Sequence, residues 1–203
     1  ERIPQVESGA VSLDAPACGK ADRLVCATGG TPIRVGKRNV GQGDYRVVVS
    51  DTLGLKGTVE ALVRPTVPPT ILPSGAADTC ATAIDASSGG YFTGDTSTTQ
   101  PTYSSGCDSP DSPGAPDQVL SLSLTQAQRL VIDMEGSTYT TMLDIHQGPS
   151  CPGTPVPNAC YVGFGMARSF LDLELQAGQY WVIIAGYSGA KGPWSADVRV
   201  LPP

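Results

Sequence analysis

Gly43-Asp44-Tyr45-Arg46-Val47-Val48-Val49 reads directly onto Gly178-Gln179-Tyr180-Trp181-Val182-Ile183-Ile184, 135 residues further along the chain. The match runs on without a gap through Gly54/Gly189, Lys56/Lys191, Gly57/Gly192, Ala61/Ala196, Val63/Val198 and Arg64/Arg199. A repeat of that period is a whole β domain rather than a solenoid unit. Upstream, Cys18 and Cys26 lie eight residues apart, and Cys151 and Cys160 lie nine apart at a similar distance from the shared Gly-x-Tyr. The stretch from about Asp78 to Met142 has no counterpart in the first copy. The chain therefore reads as one and a half domains. Residues 1–66 form a partial β-sandwich domain, residues 67–77 a Pro-rich linker, and residues 78–203 a complete domain.

Alternation identifies the faces of the repeated strand. Tyr45, Val47 and Val49, like Tyr180, Val182 and Ile184, are apolar at period two, which predicts a buried face in both copies. The opposite face, Arg46, Val48 and Ser50 or Trp181, Ile183 and Ala185, is only half apolar, as on the outer side of a sandwich sheet. A terminal strand follows that buries Val59, Ala61 and Val63, or Trp194, Ala196 and Val198, and turns Arg64 and Arg199 to solvent. The Gly-rich connection between these two strands predicts a β-hairpin. Further strands are expected at Val119–Leu124, Leu130–Glu135, Met142–His146 and Phe170–Leu175, and Thr125–Arg129 has room for one helical turn. Short strands with frequent turns make the chain all-β, a jelly-roll-like sandwich.

Composition agrees. Charged residues are 16% of the 203, against about 25% in an average globular protein. Gly (24) and Pro (18) are plentiful, as turn-rich β proteins require. At 40% apolar the chain has enough to bury a core, yet no apolar run exceeds about eight residues, far short of the roughly 20 of a membrane helix. Residues 1–66 carry nine Lys/Arg and seven Asp/Glu, net +2, and residues 67–203 carry four and twelve, net −8. The acidic second half argues against a nucleic-acid partner. Pro68-Pro69 at the seam favours polyproline II and a stiff spacer. No secretory leader begins at Glu1, so a mature chain, or a piece cut from a longer one, is expected.

The six cysteines allow fifteen pairings. Their equivalent places in the two copies predict short-range bonds Cys18–Cys26 and Cys151–Cys160, which leaves Cys80–Cys107 within the region unique to the second copy. Such loops would contribute on the order of 3 kcal/mol each by chain entropy. A structural zinc site is disfavoured by the lack of any Cys-x-x-Cys and by a single histidine, His146. Disulfides persist in oxidising compartments, which predicts an extracellular or cell-surface protein.

Several motifs of residues 78–203 together resemble the bacterial pre-peptidase C-terminal domain. They are Asp78-Thr-Cys80 with Ala83-Ile84, Ser112-Pro113-Gly-Ala-Pro116-Asp117-Gln-Val119, and Gly136-Ser137-Thr138-Tyr139-Thr140-Thr141-Met142-Leu143. Ala177-Gly178-Gln179-Tyr180-Trp181-Val182 and Gly192-Pro193-Trp194-Ser195-Ala196-Asp197-Val198 complete the series. Residues 10–66 resemble the C-terminal half of the same domain. The resemblance implies a tandem, jelly-roll, non-catalytic accessory module of secreted or lipoprotein-type bacterial proteins, calcium-binding in some members. The chain departs at Tyr139-Thr140-Thr141, where the family usually has Phe-Asp-Thr, so that aspartate's chemistry is not inherited.

Three candidate sites follow. Asp108, Asp111 and Asp117 sit among turn formers and would offer a calcium ion several of its six to eight oxygens. The plainer reading is an acidic surface loop whose aspartates cap turns. Trp181, Tyr187 and Tyr161 fall on an outer face or near loops, where aromatic rings bind sugars or proteins through flat apolar contact and a polar edge. The alternative is that Trp181 packs beneath a loop. Catalysis finds little support: His146 alone would serve any triad, and Asp133/Glu135 and Asp172/Glu174 are ordinary outward strand positions.

The expected function is a non-catalytic binding or structural module of a secreted or surface bacterial protein, serving adhesion, substrate attachment or assembly. Its partners would be protein, carbohydrate or neighbouring protomers, with calcium as the one candidate cofactor. The competing expectation is a C-terminal accessory fragment of a secreted hydrolase precursor, such as a protease. Residues 1–66, lacking leading strands, are expected not to fold alone. Preceding residues of a longer tandem array, the second domain or another protomer would complete them.

Overall fold

The computed structural model describes residues 9–14, 23–29, 37, 40–51, 67–112, 114–163 and 168–203. The chain divides into two units, Glu1–Thr66 and Val67–Pro203.

In the first unit, β1 (Gly9–Asp14), β2 (Arg23–Gly29) and β3 (Arg46–Asp51) form an antiparallel sheet in the order β2-β1-β3. The expected buried face of β3 is not buried. Val47 and Val49 are 47% and 49% exposed, and Tyr45 is half-buried with its hydroxyl donating to Gly41 O at 2.6 Å. Among the described residues β3 is paired on one edge only. Val59, Ala61, Val63, Arg64 and Cys18 lie outside the described residues. Cys26 is exposed and carries no disulfide.

The second unit is an all-β, jelly-roll-like sandwich stapled by two disulfides. Its strands are β4 (Thr70–Ile71), β5 (Ile84–Asp85), β6 (Gly90–Asp95), β7 (Gln118–Leu124), β8 (Gln128–Asp133), β9 (Thr141–Gln147), β10 (Thr154–Val162), β11 (Phe170–Leu175), β12 (Gly178–Gly186) and β13 (Pro193–Leu201). They build two five-stranded sheets, β10-β9-β12-β7-β5 and β11-β8-β13-β6-β4. From β4 onward the chain changes sheet at every connection except β9 to β10. Inward residues of both sheets meet in one core. Leu120, Leu122, Val182 and Ile184 come from one side, and Leu130, Ile132, Ala196 and Val198 from the other. Each large aliphatic buried this way contributes roughly 1.5–3 kcal/mol.

Tyr180, Val182 and Ile184 are buried, as their alternation predicts, and so are Trp194, Ala196 and Val198. The expected hairpin between these strands is absent. β12 pairs with β7 and β9, whereas β13 pairs with β6 and β8 in the opposite sheet. A hairpin and two strands facing across a sandwich both show apolar residues at period two, so alternation does not separate them. Arg199 is not free in solvent. Its side chain is 14% exposed and reaches Asp197 at 4.0 Å, because β13 is a central strand whose neighbours cover the arginine stem. Thr125–Ala127 is a tight non-helical link, not a helical turn.

Residues 67–77 belong to the second unit rather than acting as a spacer. Thr70–Ile71 pairs in parallel with β6, and Leu72 and Ala77 are buried. Two of the expected disulfides are also replaced. The observed bonds are Cys80–Cys151, with Cα atoms 5.9 Å apart, and Cys107–Cys160, at 5.8 Å. Cys151 lies before β10 and Cys160 near its end, and six residues of strand span about 20 Å, far beyond disulfide reach.

Candidate functional site

The outer face of the β12 sheet has a closed end and an open end. At the closed end, the loop carrying Cys107 lies over Met142, Val162 and Ala185, which with Ala115 form a small second apolar cluster. Beneath it Asp144 and His146, two apart on β9, are both buried. Asp144 Oδ2 accepts from Ser105 Oγ at 2.8 Å and Gly106 N at 3.3 Å, and stands 3.2 Å from His146 Nε2. The carboxylate is the hub of this group and the serine does not touch the imidazole, so it is not a nucleophile–base–orienter array. A loop's cover leaves no mark on strand periodicity, so the burial of Met142, Asp144 and His146 is decided by the tertiary structure. The paired carboxylates have local partners too. Asp172 takes two bonds from Arg129 at 2.8 and 2.7 Å, and Asp133 Oδ1 accepts from Glu135 N at 3.0 Å.

The open end centres on Trp181. The register runs Asp85–Ser121–Trp181–His146 across β5, β7, β12 and β9, so these side chains share one face. The indole Nε1 donates to Gly148 O at 3.0 Å, which fixes the ring's tilt. Around it Ser123 Oγ donates to Gln179 Oε1 at 2.5 Å, Ser123 N to Ser87 Oγ at 2.8 Å, and Ser87 Oγ to Asp85 Oδ1 at 2.5 Å. The hydrogen bonds from the Ser87 hydroxyl and amide hold the Asp85 carboxyl below its ordinary range, so it is charged. Asp85, Ser87, Ser121, Ser123, Gln179 and Trp181 line an open groove of about 450 Å³, rimmed by Cys80, Ala83 and Pro149. A second depression, about 520 Å³, lies against the β13 sheet between Ile71, Tyr91 and Pro193 and is the more apolar of the two.

The three aromatics do not make one platform. Trp181 is in mid-strand. Tyr187, six residues on, packs against the second apolar cluster. Tyr161 is 43% exposed on the edge strand β10, in register with inward-facing Leu143 rather than with Trp181.

The three aspartates do not converge either. Asp111 is exposed. Asp108 Oδ1 accepts from Ser109 N and Ser188 N, both at 2.8 Å. Partial burial opposes its charge, but hydrogen bonds from Ser112, Ser188 and Ser109 outweigh this and lower its pKa. Asp117 is fully buried, its Oδ2 accepting from Thr102 N at 2.8 Å and Tyr103 N at 2.9 Å while Oδ1 has no hydrogen-bond partner. Burial raises its pKa to about 6 against the pull of those two N–H groups, and the nearby Asp78 adds to the rise. Among the described residues no three His, Cys, Asp or Glu side chains gather as a metal site, so the expected calcium set does not fit. Two of the aspartates are turn and loop anchors instead.

Among the described residues no helix is long and apolar enough to cross a membrane. No protein-family model and no curated protein matches the chain. Among solved structures, the chain is similar to the pre-peptidase C-terminal domain of a collagenase from Bacillus anthracis. The identity is 12%, over 58% of this chain and 94% of that one, with a TM-score of 0.37.

Proposed function

We propose that residues 67–203 are a non-catalytic binding module of a secreted or cell-surface protein, and that the ligand is a carbohydrate held in the Trp181 groove. One observation carries the reading. A single indole stands among a charged carboxylate, three serine hydroxyls and a glutamine amide on one flat sheet face. Sugars pair an apolar ring face with hydroxyl edges, and this groove supplies both kinds of contact. A protein partner would more commonly seek the apolar anchor pockets that this polar lining lacks. The two disulfides support an oxidising compartment.

The test is a panel of oligosaccharides and extracellular-matrix proteins against the full chain, with Trp181→Ala and Gln179→Ala beside it. Binding of a glycan that weakens about tenfold or more in both variants, with melting curves still cooperative, is the expected result. Undiminished glycan binding by Trp181→Ala would remove the groove from the proposal, and binding of matrix protein alone would replace its ligand.

A further inference from the structure

The five strands of the groove's sheet, β5, β7, β9, β10 and β12, contain no Lys or Arg. Their acidic residues are Asp85 and Asp144, and Asp144 is buried with Ser105 and Gly106 bonded to it. Three of the unit's four basic side chains are held away from this sheet. Arg129 pairs with Asp172, Arg199 lies by Asp197, and Arg168 Nε donates to Ser137 O at 2.6 Å. Among the described residues Asp85 has no ion-pair partner. It is exposed, it lines the groove, and its charge is unopposed there.

The other polar groups of the groove are engaged with one another. Ser123 Oγ donates to Gln179 Oε1, and Gln179 Nε2 donates to Tyr180 O at 3.3 Å. Ser87 donates twice to Asp85 Oδ1, from its amide at 2.9 Å and its hydroxyl at 2.5 Å. These two bonds keep the carboxylate charged and fix its plane. Both enter Oδ1, so Oδ2 is left for a ligand. Asp85 and Trp181 stand two strands apart with Ser121 between them in register, about 10 Å from backbone to backbone. The groove therefore presents an aromatic face at one point and a negative acceptor at another.

That pairing discriminates among sugars. A uronate or a sulfated sugar would bring like charge to Asp85, with no cation on the sheet to offset it. A neutral sugar would give the carboxylate a hydroxyl and leave its charge unpaired. A protonated amine gives it a charge-assisted hydrogen bond, the stronger kind. Resting on the carbohydrate reading of this groove, we infer that its ligand is an amino sugar with a free amine: one sugar ring stacks on Trp181, and the ammonium of that ring or the next pairs with Asp85 Oδ2.

The test measures binding of three tetrasaccharides of one linkage to the full chain by calorimetry: β-1,4-linked glucosamine, its N-acetylated form, and glucose. The glucosamine form should bind about tenfold more tightly than the other two, the ratio a charge-assisted contact supplies. Asp85→Asn, at an exposed position and with the acceptor for Ser87 kept, should bring the three to equal affinity. Trp181→Ala should weaken all three. Asp111→Asn removes the same charge from an exposed place outside the groove and should leave the preference intact. Equal binding of the three by the unaltered chain, lost in Trp181→Ala, would overturn the amine pairing and leave the carbohydrate reading standing. Binding of none would remove both. A preference for glucosamine that survives Asp85→Asn, or that Asp111→Asn diminishes as much, would overturn the inference in favour of general attraction between a polycation and an acidic surface.

Discussion

The indole Nε1 of Trp194 donates to Gln118 Oε1 at 2.7 Å, a buried bond that crosses the sandwich from β13 to β7. Gln118 Nε2 in turn donates to Ala76 O at 2.7 Å, tying the entry segment of the unit to both sheets. Gly94 exists to let this bond form: a Cβ there would lie 2.5 Å from Gln118 Oε1 and 2.7 Å from Trp194 Cζ2.

Replacing Gln118 with Met keeps volume but leaves the buried Trp194 N–H and the part-buried Ala76 carbonyl without this partner. The expected loss is roughly 1–3 kcal/mol for each orphaned group. Denaturant titration of Gln118→Met, Trp194→Phe and the double variant should show strong coupling, since both singles break one bond. Simple additivity would mean the bond contributes nothing of its own. Gly94→Ala should also destabilise, because the Cβ meets rigid neighbours on two sides.

Matched positions of the repeat should respond unequally to truncation. Ile184→Ala should cost roughly 2–5 kcal/mol. Val49→Ala, at the corresponding place on an exposed face, should change stability by no more than about 0.5 kcal/mol. Comparable losses would indicate that the face of β3 is covered in solution.

Asp117 should make the second unit less stable as pH rises through the acid range. Its folded pKa, about 6, lies above the ordinary carboxyl value of 3.8, so between these values the folded state binds the proton more tightly than the unfolded state does. Stability attributable to this group is greatest below about pH 4 and is lost as pH rises through 6, by about 3 kcal/mol in all. Asp117→Asn keeps an acceptor for the Thr102 and Tyr103 amides and puts a neutral group at the orphaned oxygen. It should flatten that slope and leave the protein at least as stable at pH 7. Melting curves from pH 4 to 7 on both proteins decide the matter, and identical slopes would exclude Asp117 as the titrating group.

Non-reducing peptide mapping should recover Cys80–Cys151 and Cys107–Cys160. With partners 71 and 53 positions apart, chain entropy assigns each bond about 4 kcal/mol, more than the short-range pairs would contribute. Removing either bond by paired Cys→Ser substitution should lower the melting temperature by several degrees or more. Recovery of Cys151–Cys160 would contradict the strand geometry of β10.

Much of the sandwich was legible in local pattern. Leu120, Leu122 and Leu124 alternate with Ser121 and Ser123, and Leu171, Leu173 and Leu175 with Asp172 and Glu174. Each run proved to be a strand with its leucines turned toward the core. Period-two alternation records which face of a strand is dry, and this is a property of the strand itself. The aspartates and aromatics were visible as residue types, yet their grouping was not. Asp117 is buried while Asp111 is exposed six residues away, and Trp181 and Tyr187 serve different surroundings.

The amino-acid sequence by itself determined the all-β class, the positions of the main strands and the dry faces of the second unit. These follow from neighbours in the chain, whose spacing sets face and turn. Only the tertiary structure decided that β12 and β13 lie in opposite sheets, which cysteines meet, that residues 67–77 join the second unit, and that the outer face of β9 is covered. Each of those depends on which distant segments pack together. A strand's dry face finds equal burial against several partners, so its own residues do not say which one it meets.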